Sequence, residues 1–308
     1  MNFLFFHFNL IHKLLVTYHS SSLRIKPGGV HLFEQMKIRY LVALSVVSFI
    51  ILLIFTMGIG LSEEFFGIAA NIVLYAIIPA IFFGYYFNKY PNSDREFISF
   101  RGVKSWIPAV TGIVLASIAL SLSTFWLLVF VLDPILPSFV DFLMTEVPMP
   151  TNPLYLAIEI LTITILGPII EEFVFRGVFL HRFMKKTSMW GGILISSILF
   201  GILHADMIGA FLFGVIACLL YLRTGNLLIP ILMHILNNTL AVLAAYLPAS
   251  WLEVVTVASR EEIADKAGTM GVLLIISSIV TIFIIIKLSK GLSKKREEAA
   301  QTLEISSQ

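Results

Sequence analysis

The chain has 308 residues, 58% of them hydrophobic and only 13% charged, with a formal net charge of +2 and a mean hydropathy of +0.94. Soluble domains carry about 25% charged residues, so half that supply excludes a globule clothed in polar surface. The single cysteine, Cys218, excludes an internal disulfide or a CxxC site, and neither a glycine-rich phosphate loop nor an interleaved basic and aromatic stretch supports a nucleic-acid partner.

In chain order, residues 1–16 are apolar and aromatic but follow no basic stretch and precede no small-residue cleavage site, so they read poorly as a signal peptide. Met36-Lys37-Ile38-Arg39 before an apolar run reads as a natural start, and residues 1–35 as a doubtful N-terminal extension or interfacial segment. An apolar run of about 20 residues crosses a ~30 Å hydrocarbon core as a helix. Such runs fall at roughly 40–61, 66–87, 106–132, 154–184, 190–205, 207–222, 227–247 and 271–287. The expected fold is all-α: a polytopic membrane protein of about eight transmembrane helices. One helical membrane domain covers 36–290, and 291–308 is a polar cytoplasmic tail. Cys218 lies within an apolar run and reads as a small packing residue.

Lys and Arg concentrate in alternate loops, which sets orientation. Lys37 and Arg39 precede the first span; Lys89, Arg95, Arg101 and Lys104 follow the second. Arg182, Lys185 and Lys186 close the fourth, Arg223 follows the sixth, and Lys287, Lys290, Lys294, Lys295 and Arg296 follow the eighth. The other loops carry Glu63 and Glu64, then Asp133, Asp141 and Glu146, then a mixed group around Glu261. The expected location is the cell membrane, with both termini cytoplasmic.

An ionisable group at the bilayer centre costs about 2.5–3.5 kcal/mol on insertion scales, so those inside apolar runs carry the information. The fourth span holds Glu171, Glu172 and Arg176, the fifth ends on Phe200 and His204, and the seventh holds His234, Asn237 and Asn238. Glu172 stands four residues before Arg176, in the favoured orientation for an ion pair. Glu171 points about 100° away and has no partner in its own helix. If the fourth helix runs on to Lys185 and Lys186, Glu171 lies about 20 Å from that surface at 1.5 Å per residue, level with His204 at about 21 Å. His234 and Asn238 share a face at about 10 and 16 Å. The plainer alternatives are solvated charges at a helix end for the glutamates and interhelical hydrogen bonds for His204 and Asn238. His181, beside Arg182, reads as a surface residue, and Asp206, Arg223 and Asn226 as turn residues without chemistry.

The three clusters, in this order, resemble the intramembrane glutamate endopeptidases of the CAAX-protease and bacteriocin-processing family (CPBP, or Abi). The family pattern is E-E-x-x-x-R, then F-x-x-x-H, then H-x-x-x-N, met here by Glu171-Glu172 with Arg176, Phe200 with His204, and His234 with Asn238. The resemblance covers about residues 150–250. It implies that Glu171 is the general base activating water and that His204 helps hold the water and relay its proton. It also implies that His234 and Asn238 stabilise the oxyanion, with Glu172 and Arg176 as a supporting pair and Phe200 a supporting residue. The implied substrate is a membrane-associated peptide or protein, of which a prenylated CAAX tail is one form, and no cofactor is needed.

Three rival readings stay open. Glu171, His204 and His234 are the donor types of a His₂Glu zinc site, although no H-E-x-x-H is present. A non-catalytic bacteriocin-immunity or scaffold protein could keep the same polar core. A transporter would also carry intramembrane charges, but its usual internal repeats are not visible.

Overall fold

In the computed structural model, residues 32–91, 97–145, 150–257 and 259–292 are described. Most of the expected N-terminal extension, Arg95, Glu146 and the polar tail from 293 onward lie outside them. The described residues are helical apart from their turns.

Among the described residues, seven helices are long and apolar enough to cross a membrane: α1 (Ile38–Gly58), α2 (Glu63–Lys89), α3 (Val103–Leu132), α5 (Pro153–Lys186), α7 (Met207–Thr224), α8 (Leu228–Ala245) and α11 (Ala267–Ser289). Short helices α4 (Pro137–Met144), α9 (Ala249–Leu252) and α10 (Arg260–Asp265) lie in the connections. The expected segment at 190–205 forms α6 (Met189–Gly201), apolar but only 13 residues long. At 1.5 Å per residue that is about 20 Å, less than the hydrocarbon thickness.

Helix starts are written in the sequence as caps. The Ser62 hydroxyl accepts from Phe65 N–H, Asn152 from Leu154 and Tyr155 N–H, Ser188 from Gly191 N–H, and Asp206 from Gly209 N–H, each satisfying an orphan donor of the first turn. At the end of α7, Gly225 takes φ +63°, where a side chain would be strained. Asn226 then ties the corner to the α2–α3 loop through Ser99 N–H and C=O.

Apolar side chains face outward as well as forming the core. Val42, Val46, Ile50 and Ile54 of α1 are exposed, as suits side chains facing lipid. The centre is α7, which packs against α3, α6, α8 and α11. Its close approach to α6 depends on missing side chains: a Cβ on Gly214 would lie 3.1 Å from Ser197 Cβ, and one on Gly201 would lie 2.8 Å from Met207 O. Small residues at membrane helix contacts replace a hydrophobic drive with van der Waals fit. Cys218 is buried in this core, with Ser197 Oγ at 3.9 Å. Polar stitches cross other seams: Ser123 to Ser277 between α3 and α11 at 3.2 Å, and Trp126 Nε1 donating to Ile263 O at 2.9 Å.

Helix α5 is not uniform. Two π-helical stretches, Thr162–Leu166 and Phe173–Phe179, flank Gly167–Glu172, and α2 has another at Val73–Ile77. Such widened turns recur at functional sites. His181, expected at the surface, is buried at 4% exposure, with Tyr221 Oη 3.0 Å from its Nε2 and Phe33 stacked at 6.0 Å. Phe33, from a segment with no helical period of its own in the sequence, covers it and is itself fully buried.

Candidate active site

The glutamate pair divides as two successive helical residues must. Glu172 points inward with no exposed surface, and its Oε1 lies 2.8 Å from Arg176 Nη1; Glu171 keeps 29% of its side chain exposed. Arg176 is likewise fully buried. Its guanidinium carbon stands 4.5 Å over the Phe200 ring, a face that attracts cations. A buried charge tolerates this depth only when paired, and here the partners are the Glu172 carboxylate, the Phe200 face and, farther off at 6.0 Å, the Phe175 ring.

Helix α8 brings His234 to the same carboxylate, with Nδ1 2.9 Å from Glu172 Oε1. That bond makes Nδ1 the protonated nitrogen and turns Nε2 toward Glu171, whose Oε2 is 3.8 Å away. The separation is too long for a direct hydrogen bond, and among the described residues Glu171 Oε2 has no hydrogen-bond partner.

His204 follows the last turn of α6. Its Nδ1 meets Phe200 O at 2.8 Å, and its ring lies 4.4 Å from the Phe200 ring. Phe200 is also 5.7 Å from the His234 ring. One phenyl ring thus touches Arg176, His204 and His234, residues of three helical segments.

Phe200, His204, His234, Asn237 and Asn238 share a cavity of about 180 Å³ with Ser117, Ser121 and Asp206. Glu171 is not among its lining residues and approaches it through His234. Helix α6 is shorter than a hydrocarbon core is thick, and the turn bearing His204 and Asp206, which joins it to α7, borders this cavity. Asn238 Nδ2 donates to Ile163 O at 2.9 Å, inside the first widened turn of α5, and Asn237 Nδ2 donates to Asn238 Oδ1 at 3.3 Å. Ser196 Oγ donates to Phe175 O at 2.8 Å, inside the second. Both widened turns are therefore met by side chains from neighbouring helices.

Asp206 is more than a turn residue. Its carboxylate accepts from Ser121 and Thr124 of α3 as well as capping α7, and it lines the cavity. Ser117, Ser121 and Thr124 recur at helical spacing on one face of α3, a polar stripe that the sequence displays but that carries no motif. Among the described residues, no three His, Cys, Asp or Glu side chains gather in a way that could hold a metal ion. The set Glu171, His204 and His234 is not drawn together as zinc ligands would be.

Residues 153–240 match the model of the Rce1-like type II CAAX prenyl endopeptidases. A Bacillus subtilis (strain 168) protein named "Putative membrane peptidase YdiL" is 38% identical over 87 residues, 27% of this chain and 36% of that protein. An Escherichia coli protein named "Uncharacterized 24.3 kDa protein" is 38% identical over 94 residues, 28% of this chain and 43% of that protein. The chain therefore spans well under half the length of these curated relatives. No solved structure matches it. The matched segment runs from the start of α5 into α8 and contains Glu171, Glu172, Arg176, Phe200, His204, His234 and Asn238. With these helices around one polar cavity, the chain is a multi-pass membrane protein whose residues 153–240 are similar to the Rce1-like type II CAAX prenyl endopeptidases.

Proposed function

We propose that this protein is an intramembrane endopeptidase in which Glu171 activates water against a peptide bond of a membrane-associated substrate. The observation that carries the reading is the juxtaposition of Glu171 Oε2 and His234 Nε2 at 3.8 Å beside a polar cavity. A shared water spans such a gap. Glu171 takes its proton, the hydroxide attacks the carbonyl carbon, and the proton passes to the departing amine. Half-buried His204, across the cavity, holds the water and relays the proton.

His234 and Asn238 stabilise the oxyanion. The Glu172 carboxylate holds the His234 ring through Nδ1, which presents Nε2 to the carbonyl oxygen, where it donates when the ring carries both protons. Preorganised donors in a water-poor site are worth about 3–4 kcal/mol of barrier each. Asn238 commits one of its amide hydrogens to Ile163 O, which fixes the group and leaves the other hydrogen for substrate. Arg176 holds Glu172 in place. The scheme needs no metal.

The similarity of residues 153–240 to the CAAX prenyl endopeptidases supports a substrate that is a prenylated CAAX-type tail or another peptide held at the membrane. Alternation of Lys and Arg with acidic loops favours cytoplasmic placement of both termini in the cell membrane. Purified protein incubated with a prenylated CAAX peptide should release the C-terminal tripeptide, and the Glu171→Ala variant should not. Equal release by that variant would remove Glu171 from the chemistry.

A further inference from the structure

One wall of the cavity has no part in the scheme above. It comes from α3, which packs against α7 and α8, and it presents Ser117 and Ser121 beside Asp206. The two serines stand four residues apart and so share one helix face.

The hydroxyls of α3 divide into two kinds. A serine or threonine inside a helix can donate to the carbonyl four residues back, and Thr111, Ser123 and Thr124 do so at 3.0, 2.9 and 2.8 Å. On the cavity wall, Ser121 Oγ instead donates to Asp206 Oδ2. Ser117 is only 6% exposed, and among the described residues its Oγ has no hydrogen-bond partner. A buried hydroxyl is costly to leave unpaired, and this one borders a cavity of about 180 Å³, many times the ~15 Å³ that one water needs.

The cavity is also well supplied with acceptors. Ser121 has spent its proton on Asp206, so its remaining capacity is to accept. Asn237 Nδ2 donates to Asn238 Oδ1 at 3.3 Å, and Asn237 Oδ1 is left to accept. A peptide entering such a site has two needs. Its carbonyl oxygen wants donors, which His234 and Asn238 supply in the scheme above, and its N–H groups, once out of water, want acceptors. We infer that Ser117 Oγ, one turn from Ser121, binds substrate by accepting a backbone N–H of the peptide beside the scissile bond. For the identity of its ligand this subsite rests on the endopeptidase reading. It adds a selection: the peptide must carry a free N–H at that point, so proline or an N-alkylated residue is rejected there.

The test uses the full-length chain in detergent and a fluorescent, farnesylated CAAX peptide whose scissile amide is replaced by a ketomethylene group, which cannot be hydrolysed. Fluorescence anisotropy gives its affinity, and that of analogues in which each remaining backbone amide in turn becomes an ester, with oxygen in place of N–H. In the wild type one ester should weaken binding about three- to tenfold, the range for one hydrogen bond. Ser117→Ala should weaken binding of the parent peptide by the same factor. That ester should then cost the variant nothing more, the signature of two groups in contact. The unfolding midpoint of Ser117→Ala should be unchanged or higher, because an unpaired buried hydroxyl is gone; a merely structural serine would lower it. Ser123 pairs with Ser277 at 3.2 Å outside the cavity, so Ser123→Ala should bind the parent as the wild type does.

Wild-type affinity in Ser117→Ala, ester losses that multiply with it at every position, or no binding of the parent peptide would overturn the subsite. Cleavage of the unmodified peptide is followed in parallel. Cleavage without coupling at Ser117 leaves the endopeptidase standing and removes the subsite. Coupling without cleavage keeps the subsite as a peptide-binding site and removes the endopeptidase.

Discussion

Glu172 Oε1 sits 2.8 Å from Arg176 Nη1 and 2.9 Å from His234 Nδ1, so a single carboxylate oxygen joins α5 to α8. The consequence is electrostatic as well as structural: the same oxygen that neutralises a buried guanidinium also decides which nitrogen of His234 carries its proton. The rest of the site inherits its orientation from that choice.

Removing the proposed base should silence the protein without unfolding it. Glu171 is partly exposed and makes no ion pair closer than 3.8 Å, so Glu171→Gln is expected to leave elution and thermal stability unchanged. Cleavage of a prenylated peptide should fall by about 10²–10⁴-fold, the range for general base catalysis. A Gln variant with wild-type turnover would count against any role for this carboxylate.

Arg176→Met should act on stability. It strands the buried Glu172 carboxylate, a loss of about 3–5 kcal/mol. Adding Glu172→Gln should restore part of it, because the uncompensated charge is then gone. The comparison is by unfolding midpoint in one detergent; simple addition of the two single losses would mean that the residues do not interact.

Donor substitutions should lower kcat more than they raise KM. Asn238→Ala and His234→Ala are each expected to cost about 10²–10³-fold in kcat, as loss of an oxyanion donor does. His204→Ala should abolish cleavage while the protein stays folded. A change confined to KM would move these residues from transition-state stabilisation to substrate binding.

Phe200→Leu tests the shared aromatic face. Leucine keeps much of the packing but offers no ring to Arg176, at an expected loss of about 1–2 kcal/mol. It also releases His204 from its neighbour, so turnover should drop beyond what the stability change alone would cause. Unchanged kinetics would confine Phe200 to core packing.

Chelation separates the metal-free scheme from the zinc alternative. Activity is expected to persist in 1,10-phenanthroline. Loss of activity, restored by zinc, would favour Glu171, His204 and His234 as ligands over the arrangement argued here.

Much of this geometry was legible in the chain. The four-residue step from Glu172 to Arg176 reads directly as an ion pair, and the 100° offset leaves Glu171 to face elsewhere. The span positions follow from apolar runs because lipid penalises every interruption. The straight-helix ruler did less well. It set Glu171 and His234 about 10 Å apart in depth, yet their polar atoms lie 3.8 Å apart. The ruler assumes upright α-helices, whereas α5 contains two widened turns and is long enough to tilt. His181 differs from its sequence expectation for a related reason: proximity to Arg182 suggests water, but Phe33 and Tyr221 close over it, and contacts between distant segments leave no local trace. Asp206 and the Ser117–Ser121–Thr124 stripe were visible as letters, but their convergence needed the fold.

The widened turns on either side of Glu171 also make this helix sensitive to residue count. Each accommodates surplus length within an otherwise regular rod, so the carboxylates and the lysines at 185 and 186 hold their bearings only together. Deleting one residue between 173 and 179 would remove that surplus and let the stretch close to a regular α-helix, whereas a deletion among 180–184 would swing Lys185 and Lys186 about 100° relative to the carboxylates. Single-residue losses should thus be borne better inside the widened turns than in the regular turns beside them.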